Sequence, residues 1–349
     1  MKKFLILLIS FYSLSNCSIN KNLDDYLGEL ENEKKAMGTV SIFKDGEQIY
    51  NKSIGLANME ESKKANEATL YRIGSISKTF TAAIILQLVE EGKLPLETKL
   101  KDYFPKVDQA DQITIADLLY HRSGLYNITR SADFEVWISE PRSRTEILDK
   151  IYKNTSIFEP DTKMEYSNTN YILLAFIAED IDNQNFAEIL KNRIVDPLGL
   201  EHTFFGKDLD LSKNEAMCYY PENEMWHPIT FHTNLTGTMG AGGITSTAKD
   251  VNTFYNAVFT GKLFSKGTLD QMTTPKGGMG MGISVDRRRG LVVYGHDGRI
   301  DGFRSVAAYF PEEKLSIACT FNASQVSSSK TLFQLLDAYF YTVKEQEKG

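Results

Sequence analysis

Cysteine is nearly missing from this chain, three in 349 residues, so no disulfide framework carries the fold. Cys218 and Cys319 stand about a hundred residues apart, a separation that says nothing about pairing. Cys319 falls in the apolar run Leu315 to Phe321 and reads as a buried thiol. Metal ligands are equally sparse. Of five histidines, His227 and His232 are near neighbours but have Pro228 between them and no cysteine pair beside them, so no metal site is expected. Basic charge is in deficit, with 39 Lys+Arg against 46 Asp+Glu and a formal net charge of -7. Without a basic cluster interleaved with aromatics, nucleic-acid binding is excluded. The glycine-rich stretches Gly237 to Gly243 and Gly277 to Gly282 lack both the lysine-hydroxyl ending of a phosphate loop and the spaced dinucleotide fingerprint. No serine sits between the flanking glycines of a nucleophile elbow. No cofactor is expected, and no internal repeat or low-complexity tract interrupts the body of the chain.

What is present begins with a core. Hydrophobic residues make up 42%, with 17 Tyr and 20 Phe, which argues against disorder. The N-terminus has the pattern of an export signal over residues 1–16. Lys2 and Lys3 precede the apolar run Phe4 to Leu14, which is too short to span a bilayer. Leu14-Ser15-Asn16-Cys17 resembles a bacterial lipobox, which implies a lipidated Cys17, a membrane anchor there and a cell-envelope location. Removing residues 1–16 takes away two lysines and no acids, giving -7 - 2 = -9. Residues 17–36 then read as a lipidated terminus with a polar tether, Ser18 to Asp25, and a leading helix, Leu27 to Lys35. Residues 37–345 read as one main domain.

Thr39 to Phe43 and Gln48 to Ile54 are strand-like runs joined through Asp45-Gly46, a hairpin signal. Phe303 to Phe310 and Leu315 to Phe321 form another hairpin, and Thr331 to Lys344 carries leucines and aromatics at helical spacing. Strands at both ends with helices between predict an α/β (α+β) fold. Both chain ends build one antiparallel sheet, flanked by helices, with a mostly helical region inserted.

Three motifs carry the chemistry. Ser75-Ile76-Ser77-Lys78 opens the apolar run Phe80 to Val89, and a serine and lysine three apart at a helix start share a face. A lysine kept uncharged by burial can hold the serine proton, and a helix N-terminus favours a developing oxyanion. Tyr166-Ser167-Asn168 precedes the apolar stretch Tyr171 to Ile177. His296-Asp297-Gly298 follows, with Gly302-Phe303-Arg304-Ser305 beyond. Together with Leu118 to Leu125 and Gly242 to Asp250, these motifs resemble the serine β-lactamase-like superfamily from about Val40 to Phe321. That superfamily includes class C β-lactamases, D-alanyl-D-alanine carboxypeptidases and related esterases and amidases.

The resemblance implies Ser75 as nucleophile, Lys78 as the partner holding its proton, and Tyr166 as the second base. It implies that Asn168 donates its amide to substrate and that His296 supplies a titratable charge beside Tyr166. Gly298 is expected to leave room for the substrate backbone, and the N–H groups of Ser75 and Arg299 to form the oxyanion hole. Asp297 occupies a position where penicillin-directed members place a hydroxyl. A carboxylate facing another at ~4 Å costs about 1 kcal/mol in water and about 4 at an effective dielectric of ~20. An inward Asp297 therefore disfavours efficient β-lactamase activity. The leading expectation is an exported serine hydrolase acting through an acyl-enzyme on an amide or ester, with small molecules or D-amino-acid peptides as substrates. A small-molecule carboxylesterase, amidase or β-lactamase is the alternative enzyme, and a penicillin-binding sensor the alternative of another class.

Overall fold

A computed structural model describes residues 20–346. The export signal and Cys17 lie outside the described residues. The centre is a six-stranded antiparallel sheet whose strands are β1 (Ala36–Lys44), β2 (Glu47–Ile54), β3 (Ser284–Arg288), β4 (Leu291–Ile300), β5 (Phe303–Phe310) and β6 (Leu315–Ser324). Their spatial order is β3-β4-β5-β6-β1-β2, so the first strand pairs with the last along Ala36↔Ser324 to Lys44↔Leu315.

Alternation along β5 sorts two cores. Ala307 and Tyr309 face one side, and Val306, Ala308 and Phe310 the other. The second face is covered by α1 (residues 20–32) and by the C-terminal helix Ser328–Gln346. Residues 20–25 are thus helical, where a polar tether was expected. Leu23, Leu27 and Leu30 recur at helical spacing and are buried, which makes this segment part of the domain.

The first face holds the inserted helical region. Its central helix is α2 (Ser77–Glu90), in which eleven of fourteen residues are buried. An apolar surface on all sides suits a helix enclosed by others. Around it pack α3 (Asn168–Asp182) and α4 (Ala248–Phe259), with Phe80 stacked on Phe254 at 3.6 Å between ring centroids. The terminal helix is α5 (Ser328–Gln346). Hydroxyls fix the register of α2: Thr79 Oγ1 donates to Gly282 O at 2.8 Å and Thr81 Oγ1 to Gly240 O at 2.8 Å. Both remaining cysteines are buried and free.

Candidate active site

The site lies where the start of α2, the start of α3 and the free end of β4 meet. A short 3-10 turn, Gly74–Ile76, leads into α2 with Gly74 at φ 51°. A Cβ on Gly74 would stand 2.8 Å from the Arg299 nitrogen, so only glycine lets this turn lie against β4. Ser305 Oγ donates to Ile73 O at 2.7 Å, fastening the same turn to β5. Of residues 71–80, Ser75 alone is not buried.

Lys78 is fully buried, and its Nζ stands 3.1 Å from Ser75 Oγ, 2.6 Å from Asn168 Oδ1 and 2.6 Å from Ala241 O. Burial drives its pKa well below the ordinary lysine value, against a weaker attraction from Asp297. A neutral amine has two N–H bonds and one lone pair. The two short contacts are acceptors that take the N–H bonds, which leaves the lone pair for the Ser75 hydroxyl proton.

Tyr166 is half-buried, with its ring centroid 4.8 Å from Lys78 Nζ. Burial raises its pKa, while the Ser75 hydroxyl acts in the opposite direction. Asn168 opens α3. Its Nδ2 donates to Thr129 Oγ1 at 2.9 Å and its backbone N–H to Asn127 Oδ1 at 3.2 Å. The Asn168 side chain therefore orients Lys78, and it also lines the cleft beside Ser75, where donation to substrate was expected.

The third motif departs further from expectation. Gly298 does not open space for substrate. A Cβ there would meet Ile73 O at 2.0 Å and Ser305 Oγ at 2.3 Å, so the glycine admits the serine-bearing turn. His296 is buried, and its Nδ1 donates to Asp297 O at 2.6 Å. Burial, then Lys78, lowers its pKa to about 4, so it backs Tyr166 as a neutral ring and does not reach the cleft wall. Asp297, on the opposite face of β4, is exposed and lines another cavity, so it cannot oppose a substrate carboxylate at ~4 Å as an inward residue would. Arg299 does line the cleft beside Gly74 and Ser75, where the backbone N–H groups of Ser75 and Arg299 can converge on one oxygen.

The reading of single motifs missed His121. Its ring packs on Tyr166 at 4.3 Å between centroids, and Nδ1 accepts from Ser167 N–H at 3.2 Å. Burial holds its pKa well below the usual histidine value, and the acceptor role of Nδ1 puts the proton on Nε2. The signal was present in the Leu118 to Leu125 segment, where a histidine adjoins a serine-glycine turn. Arg72 and Asp301 were also missed. They form an ion pair at 3.1 Å with side-chain exposures of 0% and 2%. Asp301 also accepts from Thr233 Oγ1 at 2.7 Å.

The cleft over Ser75 measures about 380 Å3 and is walled by Phe134, Ile138, Ile172, Phe231 and Ile300, with Glu135 and Asp301 at its edge. An accessible serine on a buried lysine, a tyrosine beside them and two backbone donors on facing segments define an acyl-transfer hydrolase of the serine type. The chain belongs to the Beta-lactamase family, whose pattern matches residues 23–338.

Among its relatives, PbpX of Bacillus subtilis (strain 168), named for penicillin binding, is 27% identical over 91% of this chain and 78% of that protein. Teichoic acid D-alanine hydrolase of Staphylococcus aureus is 28% identical over 70% of this chain, and the match spans 59% of that protein's length. D-amino acid amidase from Ochrobactrum anthropi SV3, solved with D-phenylalanine, has the same fold. Its TM-score is 0.79 at 24% identity, with 95% of this chain and 99% of that chain covered. The protein is a serine hydrolase of this family.

Proposed function

We propose that the protein releases a D-amino-acyl group, D-alanyl in particular, from an ester or amide through an acyl-enzyme on Ser75. The observation that carries this reading is the Lys78 amine, buried, flanked by two acceptors at 2.6 Å and aimed at Ser75 Oγ. Ser75 Oγ attacks the carbonyl carbon as its proton passes to Lys78 Nζ. The carbonyl oxygen, now negative, is held by the N–H groups of Ser75 and Arg299. The tetrahedral adduct collapses, the bond to the leaving group breaks, and the alcohol or amine departs with a proton relayed by Tyr166 and Lys78. Water then attacks the acyl-enzyme by the same route and regenerates Ser75.

D-Amino-acyl chemistry is supported by the named activities of the relatives, and the apolar wall of the cleft suits an acyl side chain. Export with a lipid anchor at Cys17 belongs to the same proposal, since envelope polymers lie outside the cytoplasm.

The test is incubation with D-alanyl and L-alanyl p-nitroanilides and glycerol esters, followed by intact mass spectrometry. Expected are D-selective turnover and an alanyl adduct on Ser75. Replacing Ser75 with Ala is expected to abolish both and leave the fold intact. Turnover by Ser75→Ala, or equal use of both enantiomers, refutes the reading.

A further inference from the structure

A cavity of about 550 Å3 lies toward the other end of β4 from the oxyanion donor, where α4 ends over the sheet. Tyr294 precedes Arg299 on β4 by five residues, so at about 3.3 Å per strand residue the cavity is about 17 Å from the Ser75 cleft. Three near-parallel rings line it. Phe259, the last residue of α4, stacks on Tyr309 at 4.4 Å between centroids with planes 3° apart. It also stacks on Tyr294 at 5.2 Å with planes 19° apart. The two tyrosines are directly paired across β4 and β5. Tyr309 is buried, whereas Phe259 and Tyr294 are half-buried.

The polar groups beside these rings lack partners. Asn256, one turn before Phe259 on α4, lines the cavity and is only 8% exposed. Its backbone carbonyl accepts from Thr260 Oγ1 at 2.7 Å, but its carboxamide makes no hydrogen bond among the described residues. A Cβ on Gly46 would stand 4.0 Å from Asn256 Nδ2, so the carboxamide lies at the Asp45–Gly46 turn, which forms part of the wall. That turn is held by the Asp45 N–H, which donates to Lys314 O at 2.9 Å. The Tyr294 and Tyr309 hydroxyls make no hydrogen bond among the described residues either. Burial, then Asp45, raises the Tyr309 pKa, so this hydroxyl remains a donor. A carboxamide nine-tenths buried and unpaired is costly, and a ligand that meets it relieves the cost.

Charge at the cavity is nearly balanced. Asp45 and Asp270 line it together with Lys314, and each carboxylate has a lysine of its own, Lys44 at 3.7 Å and Lys266 at 2.6 Å. An ionic ligand gains no net partner there, which leaves stacking and neutral hydrogen bonds as the means of recognition. We propose that this cavity binds a neutral pyranose unit of a glycan, laid on the Phe259 and Tyr294 rings and hydrogen-bonded to Asn256 and the two tyrosine hydroxyls. A pyranose has an apolar C–H face that suits an aromatic platform, and a rim of hydroxyls that both donate and accept. A carboxamide with two donors and an acceptor, beside phenolic hydroxyls, answers such a rim. A flat aromatic ligand would use the platform but has fewer such groups at its edge. The site is apart from Ser75, so it holds the protein on a glycan and takes no part in bond cleavage. It stands whether or not the acyl-enzyme reading does.

The experiment is calorimetric titration of the full-length protein with glucose, N-acetylglucosamine and their β-1,4-linked tetramers. Glucuronate and adenosine are the anionic and aromatic comparisons. One of the neutral sugars is expected to bind saturably, about tenfold or more tightly than either comparison. Asn256→Leu keeps the volume and removes the carboxamide, and is expected to weaken that sugar about tenfold, the size of two neutral hydrogen bonds. Tyr294→Phe keeps the ring and removes one hydroxyl, for a loss of about threefold. Ester hydrolysis should stay within about twofold of wild type in both variants, and Ser75→Ala should bind the sugar as the wild type does.

A tetramer that binds more tightly than its monomer supports a site for a glycan chain, whereas equal affinity means a free-sugar site and overturns the glycan role. No saturable binding of any of the four sugars overturns the site. Adenosine binding more tightly than every sugar overturns the ligand class. Sugar affinity unchanged in both Asn256→Leu and Tyr294→Phe, or lost in Ser75→Ala, places the sugar elsewhere and overturns the location. Tyr294→Phe deletes a single oxygen, so it decides the location even if Asn256→Leu fails to fold.

Discussion

At the scale of single residues, the chemistry depends on where one proton sits. Lys78 and Tyr166 surround the Ser75 hydroxyl, and burial moves their pKa values in opposite directions, lysine down and tyrosine up. Both shifts favour the neutral forms, so the proton is shared among three atoms and belongs to no single base. Lys78→Met and Tyr166→Phe are each expected to lower the acylation rate by about two orders of magnitude or more. The double variant should be little worse than either single one, because members of one relay are strongly non-additive. Stopped-flow acylation with an activated ester reads this, and cleanly multiplicative losses would show two independent roles. Spacing made Ser75 and Lys78 legible, since three residues at a helix start fix a shared face. It could not show that Asn168 serves Lys78, because that depends on Thr129 and Asn127, some forty residues distant.

At the scale of elements, β4 shows why the third motif was harder to read. Strand alternation separates His296 from Asp297 but does not say which faces inward, and the pairing His296↔Ala307 and Asp297↔Val306 decides it. With Asp297 outward, the electrostatic argument against carboxylate-bearing β-lactams loses its footing. Asp297→Thr should accordingly change the ratio of penicillin to neutral-ester acylation by less than about twofold, well inside the effect of an inward like-charge contact. A severalfold gain at low salt would return Asp297 to the cleft.

The Arg72–Asp301 pair joins the strand just before Ser75 to the turn just after Arg299, so it links the two segments bearing the oxyanion donors. Asp301→Asn keeps the shape but leaves Arg72 a buried uncompensated charge, a loss of about 3–5 kcal/mol in comparable pairs. Chemical denaturation should read that loss. A fall in kcat with KM little changed in the protein that remains folded would mark misplaced donors.

At the scale of the whole molecule, stability should depend on pH through the two histidines that are buried neutral, His121 and His296. Each has a folded-state pKa below the ordinary 6.5, that of His296 about 4. Above 6.5 neither state binds the extra proton. As pH falls from there, the unfolded chain takes up protons that the folded chain refuses, so stability drops, by up to about 1.4 kcal/mol per pH unit for each ring. His296→Gln should flatten the urea midpoint profile between pH 6.5 and 5; an unaltered slope would mean that His296 is protonated in the native state.

The overall fold was legible because its hairpins are local and its core helices strongly apolar. The helix over residues 20–25 was not, since Asp24 and Asp25 mask the stripe of Leu23, Leu27 and Leu30. The pairing of the first strand with the last has a consequence for how the chain must assemble. With Ala36 matched to Ser324, a chain emerging from its N-terminus holds β1 with one edge open until almost all of its length has been made. Ser75 and Lys78 come early, yet β4 and the Arg299 N–H come late. On the proposed mechanism a partly synthesised chain therefore has a nucleophile without an oxyanion hole, and the capacity to form an acyl-enzyme arises only when the C-terminal hairpin closes the sheet.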